Sequence, residues 1–365
     1  MISSDRENGF TRRSLELAAA GIGLVSPNPL VGCVLVSSEG NIVGEGTYVY
    51  DGVTHAEVIA LEQAGDSARG GTAYVSLEPH DHQGKTPPCT EALINAGIKR
   101  VVCPIEDPNP LVSGSGFERL KNAGVEVATG ILADEASKLN EKFICWHKKQ
   151  RPFIHLKLAM SLDGRISLKR SVSTALSCDA ARERVQSLRH EYDAILVGGN
   201  TVFVDNPSLT DRSGKARRRP LVRVVLDNRL RTQLDSTLVT TARKVPTIIF
   251  SNSTSEEKVD KLFQHGVQVP RIDSRDLYAI LTELKSRNIQ SVLVEGGTEI
   301  AGAFCDAGLV DKLTLIAAPI IIGGETAPTA IGGKGVDTLA DALHLEDIII
   351  DRLEEDIEIT GYPAS

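Results

Sequence analysis

Strand-length apolar runs alternate with helical stretches along most of this chain, and that alternation restricts it to packed α/β layers. Gly32–Val36 and Asn41–Val49 read as strands joined through the turn Ser38-Glu39-Gly40. Thr54-His55-Ala56-Glu57 opens a helix that runs to about Ala64, with Thr54 as its N-cap. Thr72–Leu77 is a strand and Glu78–Thr86 a polar loop. Pro87-Pro88-Cys89 starts a helix to Ala96, and Ile98–Cys103 is a further strand. A helix from Ser14 to Ala20 precedes this series, and one charged helix from Ala133 to Lys149 follows it.

A second series begins after Gln150-Arg151-Pro152. Its strands are expected at Phe153–Ala159, Ala194–Val197, Val222–Leu226, Thr247–Phe250, Ser291–Val294 and Leu313–Ala317, with helices at Asp179–Glu191 and Asp276–Arg287. The 365 residues exceed what one core organises. Two domains are therefore expected, residues 1–149 and 150–365. Hydrophobic residues at 41% suffice for two cores, whereas aromatics at 4% leave Leu, Ile, Val and Ala to fill them. The net charge of −8 opposes a nucleic-acid-binding surface spread over the protein. The basic run Lys215–Arg219 reads as a solvated loop. No stretch approaches the ~20 apolar residues of a membrane span. No signal peptide is legible, and six scattered cysteines form no disulfide framework, so a reducing cytoplasm is expected.

One constellation points to metal-assisted deamination. Zinc deaminases combine H-x-E with P-C-x-x-C: a His and two thiolates hold the metal, and the Glu moves the proton. His55-Ala56-Glu57 supplies the first half, with both side chains in one helical turn. The strand Thr72–Leu77 then leads into Glu78-Pro79-His80, where the pattern expects its first cysteine, and Pro87-Pro88-Cys89 supplies the second. Cys89 begins a helix, whose dipole favours a thiolate. HAE alone is weak; HAE, a strand, EPH and PPC in that order is much stronger.

The second constellation lies in the other half. G-x-G-x-x-G is absent, but apolar strands run into glycine at Val197-Gly198-Gly199, Val294-Glu295-Gly296-Gly297 and Ile322-Gly323-Gly324. Such junctions expose N–H groups to phosphate. Each alone is ordinary turn punctuation; three in one domain favour a dinucleotide or phosphate pocket at the strand ends.

The motif series resembles the family of bifunctional riboflavin biosynthesis enzymes. Pro27-Asn-Pro-Leu-Val-Gly32, His55-Ala-Glu57, Glu78-Pro79, His82-Gln-Gly-Lys-Thr-Pro-Pro-Cys89 and Asp107-Pro-Asn-Pro110 look like its deaminase half. Lys157-Leu-Ala-Met-Ser-Leu-Asp-Gly164, Asp193–Val202, Asp205–Thr210, Arg219–Asp227 and Val294–Gly297 look like its reductase half, in family order. The resemblance implies a cytidine-deaminase-like α/β/α domain followed by a dihydrofolate-reductase-like α/β domain. It implies hydrolytic deamination of 2,5-diamino-6-(5-phosphoribosylamino)pyrimidin-4(3H)-one. NADPH-dependent reduction of the ribosyl group of 5-amino-6-(5-phosphoribosylamino)uracil to ribityl follows. Carried over residue by residue, His55, His80 and Cys89 would hold Zn2+ and Glu57 would move the proton. The Asn28 region and the His82–Thr86 loop would line that pocket. Ala159, Ala175, Thr201, Asp205 and Gly297 would contact NADPH. Ser173, Arg189, Leu209, Arg212 and Glu295 would face the substrate, the arginines pairing with its phosphate.

Two positions depart from the family pattern. His80 replaces a cysteine, so a His₂Cys site carries one thiolate fewer and a more positive net charge. Ala175 replaces a tryptophan in Ser173-Thr174-Ala175-Leu176-Ser177, a loss on the order of 0.5–1.5 kcal/mol of aromatic contact plus its burial, which weakens NADPH binding more than chemistry. Asp205 serves either as an acid or as a cofactor anchor. The alternative reading is a reductase-only enzyme with a degenerate deaminase domain. The expected partners are small phosphorylated pyrimidines and a further copy of the chain, with no nucleic acid and no membrane.

Overall fold

The computed structural model describes residues 4–52, 54–82, 87–170 and 172–364. The chain forms two compact units, Met1–Arg151 with Ala216–Arg219, and Pro152–Lys215 with Pro220–Ser365.

The first unit is built on strands β1 (Gly32–Val36), β2 (Ile42–Thr47), β3 (Thr72–Val75), β4 (Arg100–Cys103) and β5 (Glu126–Thr129). Their spatial order is β2-β1-β3-β4-β5. β1 is antiparallel to both β2 and β3, whereas β3, β4 and β5 run parallel. The helices are α1 (Ser4–Ala19), α2 (Ala56–Ala64), α3 (Cys89–Asn95), α4 (Ser115–Asn122), α5 (Ala133–Leu139) and α6 (Glu141–Lys148). One sheet face packs Cys33, Leu35, Ala73, Val75 and Val101 against Ala56, Ala60, Leu93 and Leu120. The other packs Val34, Val36, Tyr74 and Val102 against Phe10 and Leu17 of α1. Helices on both faces of one sheet make three layers.

Helix α2 is held unusually close to the sheet. Ala56, Ala60 and Ala64, four residues apart, give it a small-residue face, and Gly46 of β2 completes the approach. A Cβ on Gly46 would lie 2.0 Å from the Ala56 carbonyl oxygen. This contact fixes the first turn of α2, where the chemistry-bearing residues sit. The N-cap of α2 is His55, not Thr54, and its side chain makes no cap bond. α1 begins ten residues before the expected Ser14, because Asp5 and Glu7 in its first turn suit the helix dipole although the segment is polar. The single helix expected at Ala133–Lys149 is two, broken at Asn140. Its amide faces Leu30, accepting from that N–H at 2.9 Å and donating to that carbonyl at 3.0 Å. The basic run is not simply solvated: the Arg218 guanidinium lies 4.0 Å from the Tyr50 ring centroid.

The second unit holds nine strands: β6 (Phe153–Ser161), β7 (Ala194–Gly198), β8 (Val222–Leu226), β9 (Thr247–Phe250), β10 (Val267–Gln268), β11 (Ser291–Val294), β12 (Lys312–Ala318), β13 (Leu345–Leu353) and β14 (Asp356–Pro363). The order is β10-β9-β8-β7-β11-β6-β12-β14-β13. Neighbours are parallel up to β12, and the β12–β14 and β14–β13 pairs are antiparallel. Helices α7 (Asp179–Glu191), α8 (Gly199–Asp205), α9 (Thr237–Thr240), α10 (Glu256–Gln264), α11 (Leu277–Ser286) and α12 (Thr298–Asp306) accompany them. β7 and β11 are buried at every residue, as a parallel sheet covered on both faces requires. One face packs Ile154, Leu196, Val224, Val294 and Phe304, and the other Ile195, Val197, Val225, Leu238 and Ile249.

Candidate functional site

In the first unit, three elements converge. α2 presents His55 and Glu57, α3 opens with Cys89, and the loop after β3 carries His80. The loop folds back onto α3, the Thr90 N–H donating to the His80 carbonyl at 3.4 Å. One donor atom from each of His55, His80 and Cys89 lies within 4.8 Å of the others. The His55 and His80 ring centroids are 4.4 Å apart. Burial, with His55 and His82 close by, pushes His80 down to about 4. Cys89 is fully buried. Burial and the Glu57 charge together push its thiol up. Glu57 is 2% exposed, burial raises its pKa, and its Oε2 has no hydrogen-bond partner among the described residues. Two imidazoles, one thiol and an unpartnered buried carboxylate oxygen are the donors and the proton acceptor that a zinc deaminase site needs.

The walls are set by two further interactions. Asn28 donates to the Tyr48 hydroxyl at 2.6 Å, and the Tyr48 ring lies 5.3 Å from that of His55, which brings the Asn28 region to the site. Buried Glu78 accepts N–H groups of Asp107, Gly114, Gly116 and Phe117 at 2.9–3.3 Å, so one carboxylate fixes the turn carrying Asp107-Pro-Asn-Pro110. His82 stacks edge-on to His80 at 5.0 Å. Gln83–Thr86 of the expected substrate loop lie outside the described residues.

In the second unit, a cavity of about 800 Å³ opens among residues that follow β7, β8 and β11. Ligands of open α/β sheets sit at strand ends of this kind. Of the residues expected at the cofactor or substrate, Ser173, Thr201, Asp205 and Gly297 line it. Gly198 and Gly199 line it too, at the start of α8. A Cβ on Gly199 would lie 2.8 Å from the Asp227 carboxyl carbon, so glycine is required there. Ala159 packs with Ala181, Val185 and Ile316, and the exposed Ala175 is not among the lining residues. The third glycine junction serves a turn: Gly323 donates its N–H to Asp163 at 2.7 Å.

Arg189 and Glu295, both expected to face the substrate, hold each other. Nε donates to Oε1 at 2.8 Å and Nη2 to Oε2 at 3.0 Å, while Nη1 donates to the Thr210 carbonyl at 3.2 Å. Burial works against the Glu295 charge, but Arg189 and Lys157 outweigh it and keep the carboxyl low. Lys157 is buried beside them, and burial lowers its pKa. The Leu209 side chain is in the core at 3% exposure with φ 47°, which leaves only its backbone to face a ligand. Arg212 is exposed. Arg170, Asn228, Arg229, Arg231 and Thr298 also line the cavity and were not picked out from the sequence. The signal for the Asn228–Arg231 group was there: a polar, basic stretch directly after the Val222–Leu226 strand.

Comparison with known proteins agrees with both halves. Residues 4–105 match the cytidine and deoxycytidylate deaminase zinc-binding region, and residues 152–359 match the RibD C-terminal domain. The riboflavin biosynthesis protein RibD of Bacillus amyloliquefaciens is 41% identical over 360 residues, 98% of this chain and 96% of that protein. That of Aquifex aeolicus is 40% identical over 353 residues, 97% of each. The solved structure of Acinetobacter baumannii RibD superimposes with a TM-score of 0.88 at 35% identity, covering 99% of both chains. A Thermotoga maritima structure described as a diaminohydroxyphosphoribosylaminopyrimidine deaminase/5-amino-6-(5-phosphoribosylamino)uracil reductase does so with 0.87 at 36%, again over 99% of both. The expected fold classes hold, a cytidine-deaminase-like domain ahead of a dihydrofolate-reductase-like one. The chain belongs to the RibD family of bifunctional riboflavin biosynthesis enzymes, with a zinc-binding deaminase domain and an NADPH-dependent reductase domain.

Proposed function

We propose that His55, His80 and Cys89 hold one zinc ion and that Glu57 is the proton-transfer residue of the deaminase. The single observation that carries this is the meeting of those three donors beside a buried carboxylate with an unpartnered oxygen. Zinc bound there supplies Lewis-acid activation of a water. Glu57 then takes a proton at its carboxylate and delivers it to the departing amine, so that 2,5-diamino-6-(5-phosphoribosylamino)pyrimidin-4(3H)-one loses ammonia. Tyr48 and Asn28 form the wall against which the ring lies. Retention of the proton-transfer group beside the donor cluster favours this over a reductase with a degenerate deaminase domain.

The second unit carries the reduction of the ribosyl group to ribityl. NADPH supplies the hydride, and the chain's part is to orient it. The cavity lined by Gly199, Thr201, Asp205 and Gly297 is the proposed cofactor site, with Ser173 at its edge. Lys157, Arg189 and Glu295 form a buried charged cluster that positions the sugar and its phosphate. Residues 1–149 and 150–365 are the proposed functional domains.

Removal of the metal tests this division. Dialysis against a chelator is expected to abolish ammonia release while leaving NADPH oxidation on the chemically prepared deaminated substrate unchanged. Elemental analysis should return one zinc per chain before treatment. Equal loss of both activities, or ammonia release that persists without metal, would sink the assignment.

We also propose a homo-oligomer. β13 is an edge strand exposed along most of its length, with Ile348, Ile349 and Ile350 at 54%, 50% and 66% exposure. Three consecutive exposed isoleucines on an unpaired edge suit pairing with a second copy. A reducing cytoplasm is the proposed compartment, since all six cysteines are free.

A further inference from the structure

The segment after β8 presents two arginines to the cavity of the second unit, and nothing in the reaction described so far uses them. Asn228, Arg229 and Arg231 line that cavity. The segment is fixed from within. Leu230 is 1% exposed at φ 48°, and its N–H donates to the Asp227 carbonyl at 2.9 Å. Asn228 Oδ1 accepts the N–H groups of Asn252 and Ser274, each at 3.2 Å. With Leu230 anchored inward, the residues on either side of it, Arg229 and Arg231, are exposed. Among the described residues neither has a hydrogen-bond or ion-pair partner.

A third cation, Arg170, lines the same cavity but lies 3.8 Å from the Glu299 carboxylate, which offsets its charge. Arg229 and Arg231 make no such ion pair among the described residues, although Asp205 and Asp227 line the same cavity. The strand end also carries a carboxylate, Asp227, which lines the same cavity. Here Asp227 is 3% exposed, and its Oδ2 accepts both the N–H and the hydroxyl of Thr232 at 2.8 Å. Asp227 on this wall is held by Thr232, and two guanidinium groups beside it carry no ion pair among the described residues; that arrangement suits a phosphorylated ribose, since the guanidinium fork pairs with phosphate oxygens.

We propose that Arg229 and Arg231 recognise the 2′-phosphate of the cofactor's adenosine and set the preference for NADPH over NADH. This rests on the cavity being the cofactor site, and the test separates the two ideas. The full-length protein is titrated calorimetrically with 2′,5′-ADP and with 5′-AMP, and kcat/KM is measured with NADPH and NADH. The variants are Arg229→Ala, Arg231→Ala, the double Ala and double Lys forms, and Gly297→Val as a cavity-filling control. Each Ala change should weaken 2′,5′-ADP about 10–100-fold, the cost of a lost charge-assisted hydrogen bond, and 5′-AMP by less than about threefold. The NADPH-to-NADH ratio of kcat/KM should fall by the same factor, and the double Lys form should recover part of it. The proposal is overturned if both probes weaken together in the arginine variants, or if neither does. If Gly297→Val leaves both probes unaffected, the cofactor-site reading falls and takes the proposal with it. If Gly297→Val removes both while the arginine variants keep the wild-type ratio, only the role of the arginines is refuted.

Discussion

Glu57 is held inside the first unit against Cys89 and within the field of Cys33, with one carboxylate oxygen unpartnered. Glu57→Gln keeps the shape and removes the proposed proton-carrying function. Ammonia release should fall by ~10²–10⁴-fold, the usual contribution of a positioned acid–base, while zinc content stays at one per chain. Arg189 is a different case. The sequence presents it as a helix arginine free to meet a phosphate, whereas its fork is engaged by Glu295 at 2.8 and 3.0 Å. Arg189→Ala leaves a buried carboxylate with only Lys157 to balance it, so about 3–5 kcal/mol of unfolding free energy should be lost in denaturant titration. If the guanidinium also meets the substrate, KM for the phosphorylated acceptor should rise by one to two decades and KM for NADPH by far less. A stability loss with an unchanged acceptor KM would reduce Arg189 to a structural partner of Glu295.

Among the elements, α2 governs the proposed deaminase site, because His55 caps it and Glu57 rides on its first turn. Its distance from β2 depends on Gly46, where an added Cβ would meet the Ala56 carbonyl at 2.0 Å. Gly46→Ala should cost about 1–3 kcal/mol as an overpacking change and shift the His55 end of the helix. Ammonia release should therefore drop while NADPH oxidation is retained; a variant with both rates intact would show that α2 tolerates the displacement. The sequence made this helix legible, since Ala56, Ala60 and Ala64 repeat at four and the HAE triplet marks its start. It also made the buried parallel strands legible as Val, Ile and Leu runs. Other features follow from tertiary partners that no local pattern states. The break at Asn140 exists because Leu30 is there to meet its amide. The polar first half of α1 is ordered partly by distant partners such as the Gly40 carbonyl that Arg6 meets at 2.7 Å. Glu78 gathers four N–H groups from residues 107–117, far along the chain, which a motif letter cannot show. The exposure of Arg229 and Arg231 depends on Leu230 turning into the core between them, which no local pattern states.

For the whole molecule, the open edge at β13 sets an expectation about assembly. Ile349→Lys places a charge on the exposed strand and should move the sedimentation coefficient toward that of one chain; wild-type protein that already sediments as one chain would end the oligomer proposal. Sulfur is sparsely used across both units: six cysteines, all free, and one of them in the donor cluster. A centre built on two neighbouring thiolates can lock itself after losing its metal, because the two sulfurs join and a reductant is then needed to reopen it. With imidazole at position 80, no two of the proposed ligands can bond to each other. If the cluster holds zinc as proposed, losing the metal in air does not let its ligands join one another, and that route to a locked, oxidised centre is closed.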